Sequence, residues 1–368
     1  MLNSNNESSV RLHIAVSCGG TGGHTFPGLA AAEELKKRGH RITLWMAGKD
    51  VETSALQEWD GPVVQVPAEG FQSGLSFRTL LTAARLIKAI VRCFLLMRRE
   101  RPDVILGMGS YASVGPLTAA LFLKIPVVLH EANVIPGRAT RLFAKRARTV
   151  GIAFEATRHW LKQNNLHFTG MPLRPELIEA ARNSALPIFN GTLYLLITGG
   201  SGGAKALNEI LPPALIRCKK AGYSLQINHL TGRSDPESIG TNYTAADIPN
   251  ETRSFSHEMG RLYRNAHLVI ARAGASTCAE LALFKRPALL IPFPAAANNH
   301  QTFNAQTLEK AGSADLLPQE ELTADWLADY IRGFFEHPDR LDRMSAAANK
   351  LAVPDAVNRL ADLVENRS

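Results

Sequence analysis

Two segments of this chain share one pattern: a short apolar run, a loop that is nearly all glycine, and then a helical stretch. Leu12 to Ser17 runs into Gly19-Gly20-Thr21-Gly22-Gly23-His24, and Leu193 to Thr198 runs into Gly199-Gly200-Ser201-Gly202-Gly203-Ala204. An apolar run of this length suits a buried strand, and glycines let the backbone turn straight from it into a helix. Architecture repeated without repeated sequence predicts two doubly wound α/β domains.

The rest of the chain keeps the same rhythm. Further short β-branched runs, at Ile42–Met46, Val63–Val66, Val104–Gly107, Val127–His130 and Thr149–Ile152, predict a parallel sheet in the first half. Leu225–Asn228, Arg253–Phe255, Leu268–Ile270 and Ala288–Ile291 predict a second. At 368 residues the chain exceeds what one core usually supports. The break falls near Gly170-Met171-Pro172-Leu173-Arg174-Pro175, so the domains are expected at 1–173 and 174–345. Residues 346–368 are expected to form a C-terminal helix that returns to the first domain.

Successive bare N–H groups at the head of a helix suit an anion such as phosphate, although tight turns alone also explain one such loop. Neither loop is a Gly-x-x-x-x-Gly-Lys-Ser/Thr cradle or a dinucleotide fingerprint with its acidic residue. ATP hydrolysis and nicotinamide chemistry therefore rank low.

The net charge of +8 points to an anionic partner. Much of it lies between Phe71 and Arg101, where Arg78, Arg85, Lys88, Arg92, Arg98, Arg99 and Arg101 stand against the single acid Glu100, interleaved with Phe77, Leu80, Leu81, Leu86, Ile90, Val91, Phe94 and Leu95. At helical spacing this composition suits an interfacial helix on anionic lipid; the plain alternative is a core-facing helix with a solvated basic face. No nucleic-acid motif accompanies the charge, so a nucleic-acid partner is not expected. No run approaches a membrane span, and the polar N-terminus is not a secretory signal. Four scattered cysteines suit a reducing compartment and neither a disulfide framework nor a zinc site.

The second half also carries Ala271-Arg272-Ala273-Gly274-Ala275-Ser276-Thr277-Cys278-Ala279-Glu280, Pro292-Phe293-Pro294 and Asn298-Asn299-His300-Gln301-Thr302-Phe303-Asn304-Ala305. With the first glycine loop, Gly107-Met108-Gly109-Ser110-Tyr111 and His130-Glu131-Ala132-Asn133, these closely resemble the MurG family. That family comprises the UDP-GlcNAc:lipid-linked muramyl-pentapeptide N-acetylglucosaminyltransferases. The resemblance runs from about Leu12 to the final helix and implies a GT-B fold, two Rossmann-like domains facing across a cleft. It implies an acceptor-binding N-terminal domain and a UDP-GlcNAc-binding C-terminal domain, with a place in peptidoglycan synthesis, cell shape and cell division at the cytoplasmic face of the bacterial inner membrane.

Residue by residue, the resemblance gives Glu280 the ribose hydroxyls, against the plain reading of a helix N-terminal acid. It gives Ser201, Gly202 and Arg174 the diphosphate, and Ala275, Ser276 and Thr277 the neighbouring sugar and phosphate. His300, Gln301 and Asn133 would read sugar hydroxyls and the N-acetyl group, and the backbone of Ser256 would meet uracil. Thr21, Gly22, Gly23 and Tyr111, with Ser110, would line the acceptor side. Ala132, Gly202, Ser110, Met171 and Ser256 depart from the commonest family residues at their positions.

Inverting transfer needs a base for the muramyl 4-hydroxyl, stabilisation of the departing UDP, and alignment of the two substrates. His24 is the first candidate base, since an imidazole titrates near ~6.5; its plain alternative is a cap on a helix beginning at Pro27. Glu131 is the runner-up base or the group that orients the acceptor. With no Asp-x-Asp motif, backbone dipoles and arginine are expected in place of a metal, and no cofactor is expected. The rival readings are a glycosyltransferase for another lipid or small acceptor, a UDP-GlcNAc 2-epimerase, and a silent scaffold.

Overall fold

The structure is a computed structural model and describes residues 10–48, 56, 59–66, 77–200 and 202–366. Ser201 and residues 71–76 of the basic apolar segment lie outside the described residues. The chain divides into two compact units. The first comprises Met1–Ala132, Pro136–Pro172 and Asp355–Ser368, and the second Asn133–Ile135 and Leu173–Pro354. The sequence break expected at 346 falls later: residues 346–354 stay with the second unit, and the chain re-enters the first at Asp355.

The first unit holds the strands β1 (His13–Ser17), β2 (Arg41–Met46), β3 (Val63–Gln65), β4 (Val104–Gly107), β5 (Val127–Glu131), β6 (Thr149–Ile152) and β7 (Leu166–Phe168). They form one parallel sheet in the order β3-β2-β1-β4-β5-β6-β7. Its helices are α1 (Gly22–Lys37), α2 (Phe77–Arg99), α3 (Val114–Phe122) and α4 (Arg138–Phe143).

In the second unit, α5 (Pro175–Ala181) precedes β8 (Thr192–Thr198), then α6 (Lys205–Lys220), β9 (Ser224–Leu230), α7 (Pro236–Thr244) and β10 (Asn250–Arg253). There follow α8 (Met259–Asn265), β11 (Leu268–Ala271), α9 (Ala275–Leu283), β12 (Ala288–Leu290), α10 (His300–Lys310) and β13 (Ala314–Leu316). The helices α11 (Ala324–Glu336) and α12 (Asp339–Asn349) complete it. Its parallel sheet runs β10-β9-β8-β11-β12-β13, the same order of winding as the first.

Period-two alternation explains why both faces of the first sheet are dry. Ile14 and Val16 pack with Leu35 on one face, while Ala15 and Ile105 pack with Met97 and Leu117 on the other. The last helix, α13 (Ala356–Glu365), returns to the first unit and buries Leu360, Ala361 and Val364 among Ile14, Val16 and Leu106. Arg38 fixes it from outside, donating to Asp362 at 2.6 Å and to Glu365 at 2.7 Å. His40 accepts from the Leu12 N–H through Nδ1, so its Nε2–H donates to Glu365.

The structure adds two strands to the sequence expectation, β7 and β13, and moves β10 upstream of Arg253–Phe255. All three are sheet-edge strands of three or four residues with polar members, which leave little apolar signal in the sequence.

Candidate active site

Each sheet winds outward in both directions from its centre, between β1 and β4 in the first unit and between β8 and β11 in the second. At such a switch point the loops leaving the two strands diverge and open a crevice, where ligands of doubly wound sheets bind. Ser17 pairs with Gly107, and Thr198 with Ala271, so both glycine loops leave the sheet at a switch point.

In the first unit, Thr21 occupies the N-cap of α1 in an extended conformation, and the helix begins at Gly22. The start expected at Pro27 is thereby corrected: Pro27 lies inside the helix and His24 in its first turn. The Thr21 hydroxyl makes no capping bond and instead meets His24 Nδ1 at 2.8 Å. Half-buried Tyr111, from the loop after β4, lies close over Gly20, which has a φ of +112° that only glycine adopts readily. Gly23 is open to solvent. Ser110 does not line the crevice: it is buried and accepts from the Ala112 N–H, capping the turn that presents Tyr111.

Glu131 is also turned inward. Its side chain is buried, and Oε2 accepts from the Gly137 N–H at 3.0 Å at the head of α4. That geometry fits an orienting group better than a base exposed to substrate. His130 is fully buried and donates to the Gly170 carbonyl; burial pushes its pKa down to about 4, against that hydrogen bond. The imidazole is therefore neutral and structural at physiological pH.

In the second unit, the loop after β8 turns at Gly200 and Gly203, with φ of +80° and +72°. Gly203 lies directly against the backbone of Thr231 and Gly232, so the loop is seated on the segment after β9. That segment is held in turn by Asn208 of α6, which donates to Thr231 O and Ser234 Oγ while its own carbonyl meets His229 Nε2. Gly202 is exposed, and a Cβ added there would meet nothing within 4 Å.

From the other side of the switch point, Gly274 caps α9, and Ala275, Ser276 and Thr277 form its first turn. No acid stands in that turn, and Glu280 lies in the second. The reading of Glu280 as a helix N-terminal acid is therefore set aside. Its half-buried carboxylate accepts the Tyr263 hydroxyl at 2.8 Å through Oε2. Burial raises its pKa, opposed by the Tyr263 hydrogen bond and by the nearby charge of Arg174. Arg174 is the N-cap residue of α5, and its charge is felt at Glu280. Cys278 is buried, its thiol pushed up to about 12 and inert.

Gln301 accepts from the Phe293 N–H at 2.9 Å, which leaves its amide Nε2 as the donor end. His300 Nδ1 donates to the Ala297 carbonyl, and both follow two left-handed residues, Asn298 and Asn299. Buried Arg272 anchors the loop that Gln301 holds, donating to Ile291 O, Pro292 O and Gln319. Asn133 accepts from Asn304, whose other bonds, from the Val134 N–H and to Ala273 O, leave it fully satisfied. Ser256 is buried and accepts from the Glu258 N–H, so only its backbone is available to a base.

The sequence reading missed Tyr263, Asn208, His229 and the anchoring use of Arg272. Each acts through a partner distant in sequence, and no local pattern marks it.

Two all-parallel doubly wound units with these switch-point loops define a glycosyltransferase of the GT-B fold. Residues 14–152 match the glycosyltransferase family 28 N-terminal domain and residues 194–360 the family 28 C-terminal domain. The chain is 39% identical over 357 residues to the UDP-N-acetylglucosamine--N-acetylmuramyl-(pentapeptide) pyrophosphoryl-undecaprenol N-acetylglucosamine transferase of Rhodospirillum rubrum, covering 96% of this chain and 91% of that one. The crystal structure of Acinetobacter baumannii MurG superposes with a TM-score of 0.78 at 30% identity, over 96% of this chain and 99% of that one. A putative UDP-N-acetylglucosamine 2-epimerase from Listeria monocytogenes shares the fold, at 13% identity and a TM-score of 0.68 over 95% and 94% of the chains. The chain belongs to the MurG family of N-acetylglucosaminyltransferases.

Proposed function

We propose that this chain transfers N-acetylglucosamine from UDP-GlcNAc to the 4-hydroxyl of lipid-linked N-acetylmuramyl-pentapeptide, lipid I to lipid II, with inversion and with His24 as general base. The observation that carries the assignment of the base is the contact between Thr21 Oγ1 and His24 Nδ1 at the first switch point. In the tautomer that donates Nδ1–H to Thr21 Oγ1, the lone pair that takes the hydroxyl proton is on Nε2. Glu131 orders the backbone at Gly137 and orients the acceptor side, together with Gly22, Gly23 and Tyr111.

The second unit takes the donor. Glu280 accepts the ribose hydroxyls, the loop of Ser201 and Gly202 with Arg174 takes the diphosphate, and the first turn of α9 adds its N–H groups. Gln301, His300 and Asn133 read the sugar, and the Ser256 backbone reads uracil. As UDP leaves, its growing negative charge meets fixed dipoles and a guanidinium, so little reorganisation is needed during reaction.

The protein works at the cytoplasmic face of the inner membrane as a peripheral protein. The support is α2: Cys93 and Met97 are buried against the core, while Ile87, Val91 and Leu95, four residues apart, stay exposed beside Arg85, Lys88 and Arg92. That stripe combines apolar insertion with attraction to anionic lipid.

The test is transfer from radiolabelled UDP-GlcNAc to a short-chain lipid I analogue by wild type and His24→Ala. Loss of roughly 10²–10⁴-fold in kcat with little change in UDP affinity is expected. Full activity in the variant removes His24 as base, and release of UDP-ManNAc without transfer moves the assignment to an epimerase.

A further inference from the structure

The ribose-binding reading of Glu280 leaves open what holds that carboxylate. A half-buried glutamate has three side-chain torsions, and one that binds a diol productively must be fixed in a single rotamer before the ligand arrives. Among the described residues, a tyrosine hydroxyl is placed for the task. Tyr263 of α8 is 1% exposed, and its hydroxyl donates to Glu280 Oε2 at 2.8 Å. Its ring stacks on Phe284 at 5.1 Å between centroids with an interplanar angle of 25°.

Glu280 and Phe284 are four residues apart and lie on one face of the same helical run, so Tyr263 grips that face at two points. The ring sets where α9 sits against α8, and the hydroxyl sets where the carboxylate points. Buried beside an anion, the phenol holds its proton well above its ordinary range and acts only as donor. Arg174 supplies the neighbouring positive charge.

We infer that Tyr263 is a positioning residue for the sugar nucleotide: its hydroxyl occupies Oε2 of Glu280 and so aims Oε1, with the remaining Oε2 lone pair, at the ribose diol. The inference rests on the proposed ribose contact of Glu280. Tyr263 itself is too buried to touch the ligand.

Calorimetric titration of wild type, Tyr263→Phe and Glu280→Ala with UDP and with 2′-deoxy-UDP tests this, alongside transfer kinetics and thermal melts. Tyr263→Phe keeps the stacked ring and removes one oxygen. We expect it to weaken UDP roughly five- to twentyfold and 2′-deoxy-UDP distinctly less, and to raise KM for UDP-GlcNAc with kcat within about twofold. Wild-type UDP binding by Tyr263→Phe, with binding lost in Glu280→Ala, overturns the inference and leaves the ribose contact standing. Equal weakening of both nucleotides by Tyr263→Phe also overturns it, because a general disturbance of α9 does not distinguish the 2′-hydroxyl. Undiminished UDP binding in Glu280→Ala removes the ribose contact itself and the inference with it.

Discussion

Replacing Gly203 by alanine isolates the seating of the second glycine loop. A Cβ there would stand 2.8 Å from Gly232 Cα and closer still to Thr231 O. Carbon atoms in contact prefer about 3.5–4.0 Å, so one of the two backbones must retreat by roughly 1 Å. The left-handed conformation at φ +72° adds about 1–2 kcal/mol, and displacing packed backbone adds about 1–3 kcal/mol. The expected loss is therefore about 2–5 kcal/mol, which a domain of ordinary stability survives.

Gly312→Ala is the control. Gly312 has a similar φ of +78°, and its nearest neighbour stands 4.0 Å from an added Cβ, so it carries the conformational cost alone. Urea melts of both variants should differ by about 1–3 kcal/mol. Only Gly203→Ala should raise KM for UDP-GlcNAc, by about tenfold or more, because its loop amides shift away from the diphosphate. Equal melts, with KM unchanged in Gly203→Ala, would refute the backbone-contact argument.

Burial pushes His130 and His229 down to about 4, below the ~6.5 of an unfolded chain. The unfolded chain binds more protons in that window, so their contribution is present above pH ~6.5 and is lost as pH falls toward 4, about 3 kcal/mol each; urea melts at pH 7.5 and 4.5 measure it, and His229→Gln should shrink the difference. Ile87→Glu with Val91→Glu should cut binding to anionic vesicles on the order of tenfold while leaving transfer to a water-soluble acceptor intact; unchanged vesicle binding would locate membrane contact elsewhere. Arg38→Ala strips Glu34, Asp362 and Glu365 of their shared cation and should cost about 1–3 kcal/mol, read as a lower melting temperature and faster proteolysis near Asp355; a wild-type melt would show that apolar burial alone holds α13.

The long-range plan of the molecule was legible because its signals are local and repeated. Short apolar, β-branched runs gave most strands nearly to the residue, as at β4 and β6. The helix start at Gly22 was misplaced although Thr21 is a good N-cap residue, because two glycines there argue against helix on propensity. Side-chain aim was the least legible. Nothing in the sequence says that Glu131 turns toward Gly137, that Ser110 spends its hydroxyl on a turn, or that Tyr263 reaches Glu280. Those are choices made by tertiary packing.

The return of α13 to the first sheet also fixes an order of events during synthesis. Leu360, Ala361 and Val364 cover β4, β5 and β6, yet they are translated after the whole second unit. At about 5–20 residues per second, the roughly 180 residues from 173 to 354 keep that apolar face bare for about 10–40 s. The unit encoded second is therefore free to finish folding first, and the one encoded first closes only once α13 has emerged from the ribosome.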